Sequence, residues 1–312
     1  MKLSDIRKGK RPAPDRVLVY GPEGIGKTTF GAHAPKPIFL SAEDGNREFA
    51  VDVLPEPTTF ADVLDRVDFL IGNDTGYKTL VIDTVDWLAP LVIQVVLDRN
   101  AWTIEQFNDF GRGCKAWTQD WRVLLARLDK LRLIRDMEII ALAHTRITTF
   151  RDPAGQDWMR YVPKLLGEEA PALWKEWADV VMFAQDKVAV KGEADGRGKA
   201  KGVSNGQRVL RTERNAAFDA KNRKGLPPEI PLDYAAYAFA RDNRDAKAAD
   251  MLAQAEKLVA EAGLGEDALK WVRSHKDDAM ALAVDINRLR IRAEERASTS
   301  TSVTGNAATA AA

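Results

Sequence analysis

Residues 17–29, which read VLVYGPEGIGKTT, constrain the fold of this 312-residue chain more than any other stretch. The apolar residues 17–20 are typical of a buried strand, and the pattern G-x-x-x-x-G-K-[ST] follows from Gly21 to Thr28 without a mismatch. In this pattern glycines let successive backbone N–H groups point at one anion, and the next helix adds the positive end of its dipole. The stretch therefore predicts a strand, a phosphate-binding loop and a helix in direct succession.

The side chains of the loop extend this prediction to a nucleotide and a metal ion. Lys27 is suited to bring a positive charge to the β- and γ-phosphates, and the Thr28 hydroxyl is able to ligate Mg²⁺. ATP and Mg²⁺ are therefore the expected cofactors. The predicted nucleotide-binding residues are Gly21, Pro22, Glu23, Gly24, Ile25, Gly26, Lys27, Thr28 and Thr29. A glycine-rich turn that ends in Lys-Thr by chance is the alternative, and the flanking patterns disfavour it.

Further apolar runs that are typical of buried strands follow the loop, and helical patterns lie between them. These runs are residues 38–41, 79–83 and 138–143. Such alternation predicts an α/β fold in which a mainly parallel sheet is flanked by helices. Ligands of these sheets bind beyond the carboxyl ends of the strands. We therefore expect Glu43, Asp83 and His144, each at a strand end, to lie near the loop.

The acidic residues at the strand ends are candidates for metal binding and catalysis. Asp83 ends the run LVID, which has the form of a Walker B strand, so its carboxylate is predicted to hold Mg²⁺. Thr84 occupies the position at which many ATPases carry a catalytic glutamate, and a threonine cannot act as a base. Glu43 is therefore the predicted residue that orients the attacking water, with Asp44 and Asp86 as alternatives.

His144 follows the fourth apolar run directly. At that place a histidine is a candidate to contact the γ-phosphate or its water and to report hydrolysis. A strand-end histidine that only satisfies a local hydrogen bond is an equally weighted alternative. We count His144 with Lys27 and Glu43 among the predicted catalytic residues.

Two polar segments carry cations and aromatic rings in alternation. Residues 146–164 are predicted to form a long loop, and residues 98–116 a second, more acidic one. The first contains Arg146, Arg151, Arg160 and Lys164 among Phe150, Trp158 and Tyr161. Cations for phosphates and flat rings for bases are what proteins use to bind single-stranded nucleic acid. An ordinary loop with buried rings is the alternative.

Residues 187–224 are basic although the whole chain is neutral. They contain eleven Lys or Arg residues and four Asp or Glu residues, whereas the chain has 46 of each class. Residues 187–191 and 207–212 are typical of two strands, which predicts a hairpin with a mobile, glycine-rich tip at residues 192–206. Such a hairpin is suited to contact a phosphate backbone or a neighbouring subunit's nucleotide. A solvated edge hairpin protected by lysines is the alternative.

The two ends of the chain differ in composition from its middle. Residues 1–16 are basic and contain prolines, which indicates a loosely held arm before a core at residues 17–240. Residues 241–296 are rich in Ala, Leu, Glu, Lys and Arg and predict a helical extension that is broken at residues 263–265. It is suited to partner contact or to packing on the core. Residues 297–312 are of low complexity and are expected to be disordered.

The composition excludes several classes of protein. A single cysteine, Cys114, rules out an internal disulfide framework and favours a reducing compartment. The first residues lack the apolar segment of a secretory signal, and no apolar run reaches the length needed to span a membrane. We therefore expect a cytoplasmic protein.

Five segments in order resemble the RecA-like ATP-binding proteins of phages, which belong to the AAA class. They read VLVYGPEGIGKTTF, FLSAEDG, TLVIDTVDWL, ALAHTRI and LLGEEAPALWKEWADVVMFA, within residues 14–232. The resemblance implies a RecA-like P-loop NTPase core, in which the fourth strand lies between the Walker A and Walker B strands and puts His144 beside the phosphates. Some members of the group are single-strand annealing or recombination proteins. It therefore implies a DNA-stimulated ATPase of a phage-infected bacterium, with a phage or host replication protein as a candidate partner.

The resemblance also bears on individual residues. In RecA-type proteins the base is a glutamate at the end of the second strand, which Glu43 matches. Residues 218–225 are similar to the RecA stretch whose basic pair reaches a neighbour's nucleotide, and Lys221 and Arg223 match that pair. This implies a homo-oligomer with ATP at its subunit interfaces. The two DNA-binding loops of RecA correspond to residues 98–116 and 146–164 in position, not in sequence.

The leading hypothesis from the sequence is an ATPase that binds single-stranded DNA and promotes annealing or strand exchange. A P-loop phosphotransferase that acts on a small metabolite is one alternative, although no arginine-rich lid follows the third strand. An interaction module that uses bound ATP as a switch is another. The leading hypothesis requires ATP hydrolysis that responds to DNA, and the switch module predicts tight ATP binding with almost no turnover.

Overall fold

The computed structural model describes residues 13–41, 49–191, 201–242 and 248–293, without the side chains of residues 110, 188–191 and 201–205. Contacts divide the chain into two compact units, Met1–Lys224 and Gly225–Ala312. Several predictions fall outside the described residues. They concern most of the N-terminal arm, Glu43 and Asp44, much of the glycine-rich tip and the low-complexity tail.

The first unit is built on a sheet. Its strands are β1 (Arg16–Gly21), β2 (Pro37–Ser41), β3 (Asp52–Val53), β4 (Thr79–Asp83), β5 (Glu138–Phe150), β6 (Trp158–Pro163), β7 (Val180–Lys191), β8 (Lys201–Arg211) and β9 (Lys221–Asn222). Within the unit the strand order is β8-β7-β1-β5-β4-β2-β3. The strands from β7 to β3 in this order are parallel, whereas β8 and β9 run antiparallel to β7. This confirms the predicted α/β fold, and β5 lies between β1 and β4 as the resemblance implied.

The helices of the first unit connect these strands. They are α1 (Lys27–Ala32), α2 (Phe60–Gly72), α3 (Val85–Asn100), α4 (Ile104–Asn108), α5 (Arg112–Ala116), α6 (Thr118–Arg135) and α7 (Glu169–Trp177). Local sequence explains several of their ends. At the start of α2, for example, the Thr59 hydroxyl accepts from the Asp62 N–H, and the Asp62 carboxylate accepts from the Thr59 N–H. A cap of this kind contributes about 1 kcal/mol.

The core of the first unit is apolar because helices cover the sheet. Every residue of β4 is buried, and so are residues 139–143 of β5. Four tryptophans stack edge to face in a row. They are Trp117 directly before α6, Trp121 in α6, and Trp174 and Trp177 in α7. Each such pair contributes about 0.5–1.5 kcal/mol beyond its buried area. The row fixes α7 against α6.

Residues 146–164 do not form the predicted loop. β5 continues to Phe150 and pairs antiparallel with β6, in a register that runs from Thr145 opposite Pro163 to Phe150 opposite Trp158. The β-branched run ITT at residues 147–149 favours a strand. Tyr161 anchors the other arm, since its ring stacks on Phe183 at 5.0 Å. We call residues 145–163 the β5–β6 hairpin.

The predicted loop at residues 98–116 is also wrong, because the segment is mostly helical. α3 runs to Asn100, and α4, a 3₁₀ turn and α5 follow. Thr103 and Gln106 form a capping box that starts α4. Phe107 is fully buried, and Gly113 gives it room, since a Cβ at residue 113 would lie 2.3 Å from the Phe107 ring.

The predicted basic hairpin is present, with different strand limits. The sequence predicts a strand at residues 187–191, but β7 already begins at Val180 and is one strand with a register shift between Asp186 and Val188. Its partner β8 begins at Lys201, before the predicted residue 207. Polar residues at Gln185 and Asp186 suggested a break. The strand nevertheless continues through these two residues, because both pair with β8.

The second unit contains β10 (Glu229–Pro231), α8 (Tyr234–Asp242), α9 (Ala248–Glu261), α10 (Glu266–Arg273) and a further helix at residues 279–293. α9, α10 and the last helix share an apolar cluster: Ala255, Val259, Val272, Leu282, Ile286 and Leu289. The predicted break at residues 263–265 is confirmed. The extension has a second break that the pattern did not predict, because α10 ends at Arg273 and Asp278 caps a new helix by accepting from the N–H groups of Met280 and Ala281.

Across the part of the chain that the structure describes, no helix combines the length and apolarity needed to cross a membrane.

Candidate nucleotide-binding site

The predicted loop joins β1 to α1 at the carboxyl end of the central strands. Gly24 and Gly26 have φ angles of 67° and 109°, a region that side chains disfavour. Gly21 is required for another reason, since a Cβ there would lie 2.5 Å from the Ala184 carbonyl oxygen. The loop therefore depends on backbone shapes and close approaches that glycine permits.

Lys27 is held under the loop. Its Nζ donates to the carbonyl oxygens of Gly21 at 3.1 Å and Pro22 at 2.8 Å, and the residue is 5 % exposed. A buried ammonium inside a curl of backbone is a local positive charge that suits the phosphates of a nucleotide.

Thr28 and Asp83 meet although they come from different parts of the chain. The Thr28 hydroxyl donates to Asp83 Oδ2 at 2.8 Å. Burial raises the pKa of Asp83, while the Thr28 hydrogen bond and the charge of Lys27 oppose the rise. A carboxylate and a hydroxyl are ligands that Mg²⁺ prefers, and desolvation makes this carboxylate favourable for a cation. Thr28 and Asp83 therefore fit the predicted metal ligands.

The described residues contain no group of three or more His, Cys, Asp or Glu side chains that could hold a metal ion. A magnesium site of the P-loop type does not need such a group. Mg²⁺ in such sites is bound by one or two protein groups, and the substrate phosphates and water supply the other ligands. Thr28 and Asp83 are two described groups that fit this role.

Glu43 lies outside the described residues, so its predicted role as the base stays a prediction. The nearest described residue before Glu43 is Ser41, the last residue of β2, which is in register with Asp83 of β4. The chain therefore leaves β2 beside the Walker B carboxylate, two residues before Glu43.

His144 lies next to the loop and is held by Asp86. In the parallel pairing of β1 and β5, His144 is in register with Gly21. Asp86 Oδ1 accepts from the His144 backbone N–H at 2.8 Å, and Asp86 Oδ2 lies 2.8 Å from the ring Nδ1. Burial raises the pKa of Asp86, but the hydrogen bonds from His144 outweigh it and leave this pKa lowered. An ionised Asp86 therefore fixes the histidine by two atoms.

This contact is the feature that the sequence analysis missed. Asp86 was an alternative base, and the structure instead places it against the predicted sensor. A signal was present, since Asp86 comes three residues after Asp83 and falls in the first turn of the helix that follows the Walker B strand. Without the order of the strands, nothing indicates that the end of β5 lies beside that turn.

Lys221 and Arg223 do not join the other predicted site residues within one chain. β9 pairs with the start of β7, where Lys221 is in register with Val181, whereas the loop follows the end of β1. Lys221 Nζ donates to the carbonyl oxygens of Lys175, Glu176 and Ala178 at 2.6–2.9 Å, which caps the end of α7. Burial lowers the pKa of Lys221.

Arg223 is the more accessible member of this pair. Its side chain is 58 % exposed, and Nη1 lies 3.6 Å from Asp179 Oδ1. A surface cavity of about 590 Å³ lies beside it and is lined by Lys175, Arg214, Asp219, Lys221 and Arg223, among others. The predicted action on a neighbour's nucleotide stays a prediction for both residues.

The β5–β6 hairpin exposes apolar side chains and a ring. Ile147 is 53 % exposed, Met159 is 70 % exposed and Phe150 is 38 % exposed. The Phe150 and Trp158 rings lie 4.7 Å apart, and the Arg160 guanidinium lies 5.3 Å from the Phe150 ring centre. A cation beside a pair of rings on an exposed hairpin has the chemistry of a base-stacking surface.

Several other predicted contact residues of the segment 146–164 are engaged inside the protein, and Lys164 is half-exposed. Arg146 donates to the Gly167 carbonyl oxygen at 2.9 Å, and Tyr161 stacks on Phe183. Arg160 also donates to the Asp219 carboxylate. Lys164 has a half-exposed side chain and lies 4.0 Å from the Glu23 carboxylate of the loop.

A comparison with known protein families finds one match that covers most of the chain. A family model described as an AAA domain matches residues 13–224. This range includes the loop, Asp83, Asp86, His144 and the β5–β6 hairpin, and it ends at the last residue of the first unit. No curated protein matches the chain.

Proposed function

Because the chain belongs to the AAA domain family, whose P-loop domains bind and hydrolyse ATP, we propose that it couples ATP hydrolysis to single-stranded DNA. In this proposal it promotes annealing or strand exchange in phage recombination or replication. The observation that most supports ATP hydrolysis is the contact between Thr28 and Asp83 beside Lys27. It brings the proposed phosphate-binding and metal-binding side chains together.

The residues of the site divide the chemistry among them. The loop N–H groups and Lys27 would bind the phosphates, and Lys27 would offset the charge that develops on the γ-phosphate during transfer. Thr28 and Asp83 would hold Mg²⁺, which neutralises charge on the β- and γ-phosphates when it is bound. Glu43 is the proposed group that orients the attacking water, and His144 the group that contacts the γ-phosphate.

A path of direct contacts supports coupling between the β5–β6 hairpin and the loop. Arg160 of the hairpin and Lys175 of α7 both donate to the Asp219 carboxylate. The backbone of Asp219 is in turn bound to the Tyr20 hydroxyl, which donates to its carbonyl oxygen at 2.6 Å and accepts from its N–H at 2.9 Å. Tyr20 directly precedes Gly21. DNA bound to the hairpin would therefore act, through Arg160 and Asp219, on Tyr20 directly before the loop.

We propose two surfaces for DNA and one for a second copy of the chain. The β5–β6 hairpin offers rings and cations, and the basic residues of 187–224 offer a phosphate contact. Arg223 would reach the nucleotide of a neighbouring copy, which fits its position away from the loop of its own chain. Lys221 would do the same on release of the carbonyl oxygens that it caps at the end of α7. This implies a homo-oligomer with ATP at its subunit interfaces. A replication protein is the proposed partner of the second unit.

ATP hydrolysis measured with and without single-stranded DNA tests the proposal. We expect turnover in the wild type that rises with poly(dT), and loss of turnover in Lys27→Ala and Glu43→Gln. Unchanged turnover with poly(dT), together with no retention of DNA at low salt, would overturn the DNA role. Tight ATP binding with no turnover in the wild type would instead favour the switch module.

A further inference from the structure

Both carboxylate oxygens of Asp86 contact His144. Oδ1 accepts from the His144 backbone N–H and Oδ2 contacts the ring Nδ1, each at 2.8 Å. The side chains of Asp86 and His144 are 5 % and 12 % exposed, so water competes little for these bonds. A two-point contact of this kind fixes both the strand end and the rotation of the ring.

The elements around the pair show why the contact is well defined. Asp86 belongs to the first turn of α3, directly after the Walker B strand, where a carboxylate is favoured by the helix dipole. His144 is the last residue of β5 in register with β1, and its carbonyl oxygen accepts from the Lys164 N–H at 2.8 Å. The ring is therefore held between the start of α3 and the loop strand.

The contact also decides which ring nitrogen remains for a ligand. An ionised carboxylate only accepts hydrogen bonds, so Nδ1 must carry the proton in the pair. In the neutral ring Nε2 is then an acceptor, and in the charged ring it is a donor. An asparagine at residue 86 would instead offer its NH₂ group to Nδ1 and favour the opposite tautomer.

We propose that Asp86 is a positioning residue, which holds His144 with Nδ1–H bound and Nε2 directed to the γ-phosphate or its water. The inference rests on the proposed ATP hydrolysis for its functional consequence. It differs from the role of base considered for Asp86, because the carboxylate acts through the histidine and not on the water. The alternative is a purely structural role, in which the pair only ties α3 to β5.

Nitrogen-15 NMR of histidine rings tests the positioning without any turnover. The chain has three histidines, so the spectrum is simple, and His144→Gln assigns the His144 signals. At a pH where the ring is neutral we expect the Nδ1–H tautomer in the wild type and its loss in Asp86→Asn. His275 is an internal control, because its Nδ1 lies 2.7 Å from Asp285 and should keep its signals in Asp86→Asn.

The same spectra test the contact with the phosphate. Addition of ATPγS and Mg²⁺ should shift the His144 Nε2 signal in the wild type and shift it less in Asp86→Asn. A wild-type ring in the Nε2–H tautomer, or an Nε2 signal that does not respond to ATPγS, overturns the proposal. A wild type that fails to hydrolyse ATP would defeat the proposed function, and these two spectra would still decide the positioning.

A double-mutant cycle then separates positioning from a structural tie. Asp86→Asn should lower kcat about tenfold or more and leave KM for ATP near the wild-type value. In a His144→Gln background the same change should have little further effect, because the ring it positions is absent. Asp98→Asn near the far end of α3 is the matched control and should leave kcat unchanged, since the exposed Asp98 carboxylate accepts from Gln94 on the helix surface. Additive losses would overturn the proposal.

Discussion

The Thr28 hydroxyl donates to Asp83 at 2.8 Å across 55 residues of sequence. The contact joins the first turn of α1 to the end of β4, two strands away from the one that precedes the loop. Because the carboxylate is 3 % exposed, the hydroxyl is one of the few groups that stabilise its charge. Thr28 and Asp83 would hold Mg²⁺, whose positive charge would stabilise the carboxylate when it is bound.

This pair yields a test of the metal site. Thr28→Val removes the hydroxyl with little change of shape, and Thr28→Ser keeps it. We expect Thr28→Val to raise the Mg²⁺ concentration for half-maximal turnover about tenfold or more, and Thr28→Ser to stay near the wild type. The measurement is a Mg²⁺ titration of ATP hydrolysis at fixed ATP. A Thr28→Val curve that overlays the wild type would remove Thr28 from the metal ligands.

The parts of the site that were predictable from sequence follow from local rules. Gly21 to Thr28 is a continuous pattern with a strand before it and a helix after it, and Asp83 ends a continuous apolar run. Each of these two patterns lies within a short, continuous stretch of sequence. Parallel strands then bring their carboxyl ends to one edge, so the neighbourhood of Lys27, Asp83 and His144 also follows from the pattern.

The parts that were missed depend on pairing between distant residues. The β5–β6 hairpin has arginine and threonine at strand positions, so its alternation is weak in sequence, and only its pairing and the stacking of Tyr161 on Phe183 reveal it. The Asp86–His144 contact depends on the order β1-β5-β4. Helices at residues 98–116 are too short for a clear period, and Phe107 decides their packing.

The exposed ring of the hairpin gives a second test. Phe150→Ala removes a stacking surface that is worth about 1–3 kcal/mol per base. We therefore expect the Kd for labelled poly(dT) to rise about tenfold in fluorescence polarisation. Phe69→Ala on α2 is the matched control, because Phe69 is 52 % exposed and lies outside the hairpin. Equal Kd values for the two variants would argue against DNA on the hairpin.

A third test concerns stability and its dependence on pH. Asp179 accepts from Arg16 Nε at 3.0 Å and Nη2 at 2.8 Å, and both side chains are largely buried. Burial raises the pKa of Asp179, but the hydrogen bonds and charge of Arg16 outweigh it, so the pKa lies below its ordinary value of 3.8. The stabilisation is therefore present above that value and is lost as the pH falls through the lower folded-state pKa.

We expect Asp179→Asn to lower the free energy of unfolding by about 2–3 kcal/mol at pH 7, with a smaller loss at pH 3. Urea unfolding followed by tryptophan fluorescence measures this in the first unit, since Trp271 is the only tryptophan of the other unit. Asp68→Asn is the control, because the Asp68–Arg127 pair is exposed and should contribute less than about 1 kcal/mol. A loss for Asp179→Asn that does not change with pH would contradict the assignment.

The last test asks whether Arg223 completes the site of another copy. Its side chain is exposed and lies at the edge of the sheet away from the loop of its own chain, so an effect on catalysis requires a neighbour. We expect Arg223→Ala and Lys27→Ala each to lose most turnover, since a cationic finger is worth about 10³-fold or more in related phosphoryl transfers. When the two inactive variants are mixed, an intact loop of the first meets an intact Arg223 of the second, and part of the activity should return. Arg127→Ala, at an exposed pair, should keep wild-type turnover alone. Mixtures that stay inactive, although the variants associate in light scattering, would show that Arg223 acts within its own chain or not at all.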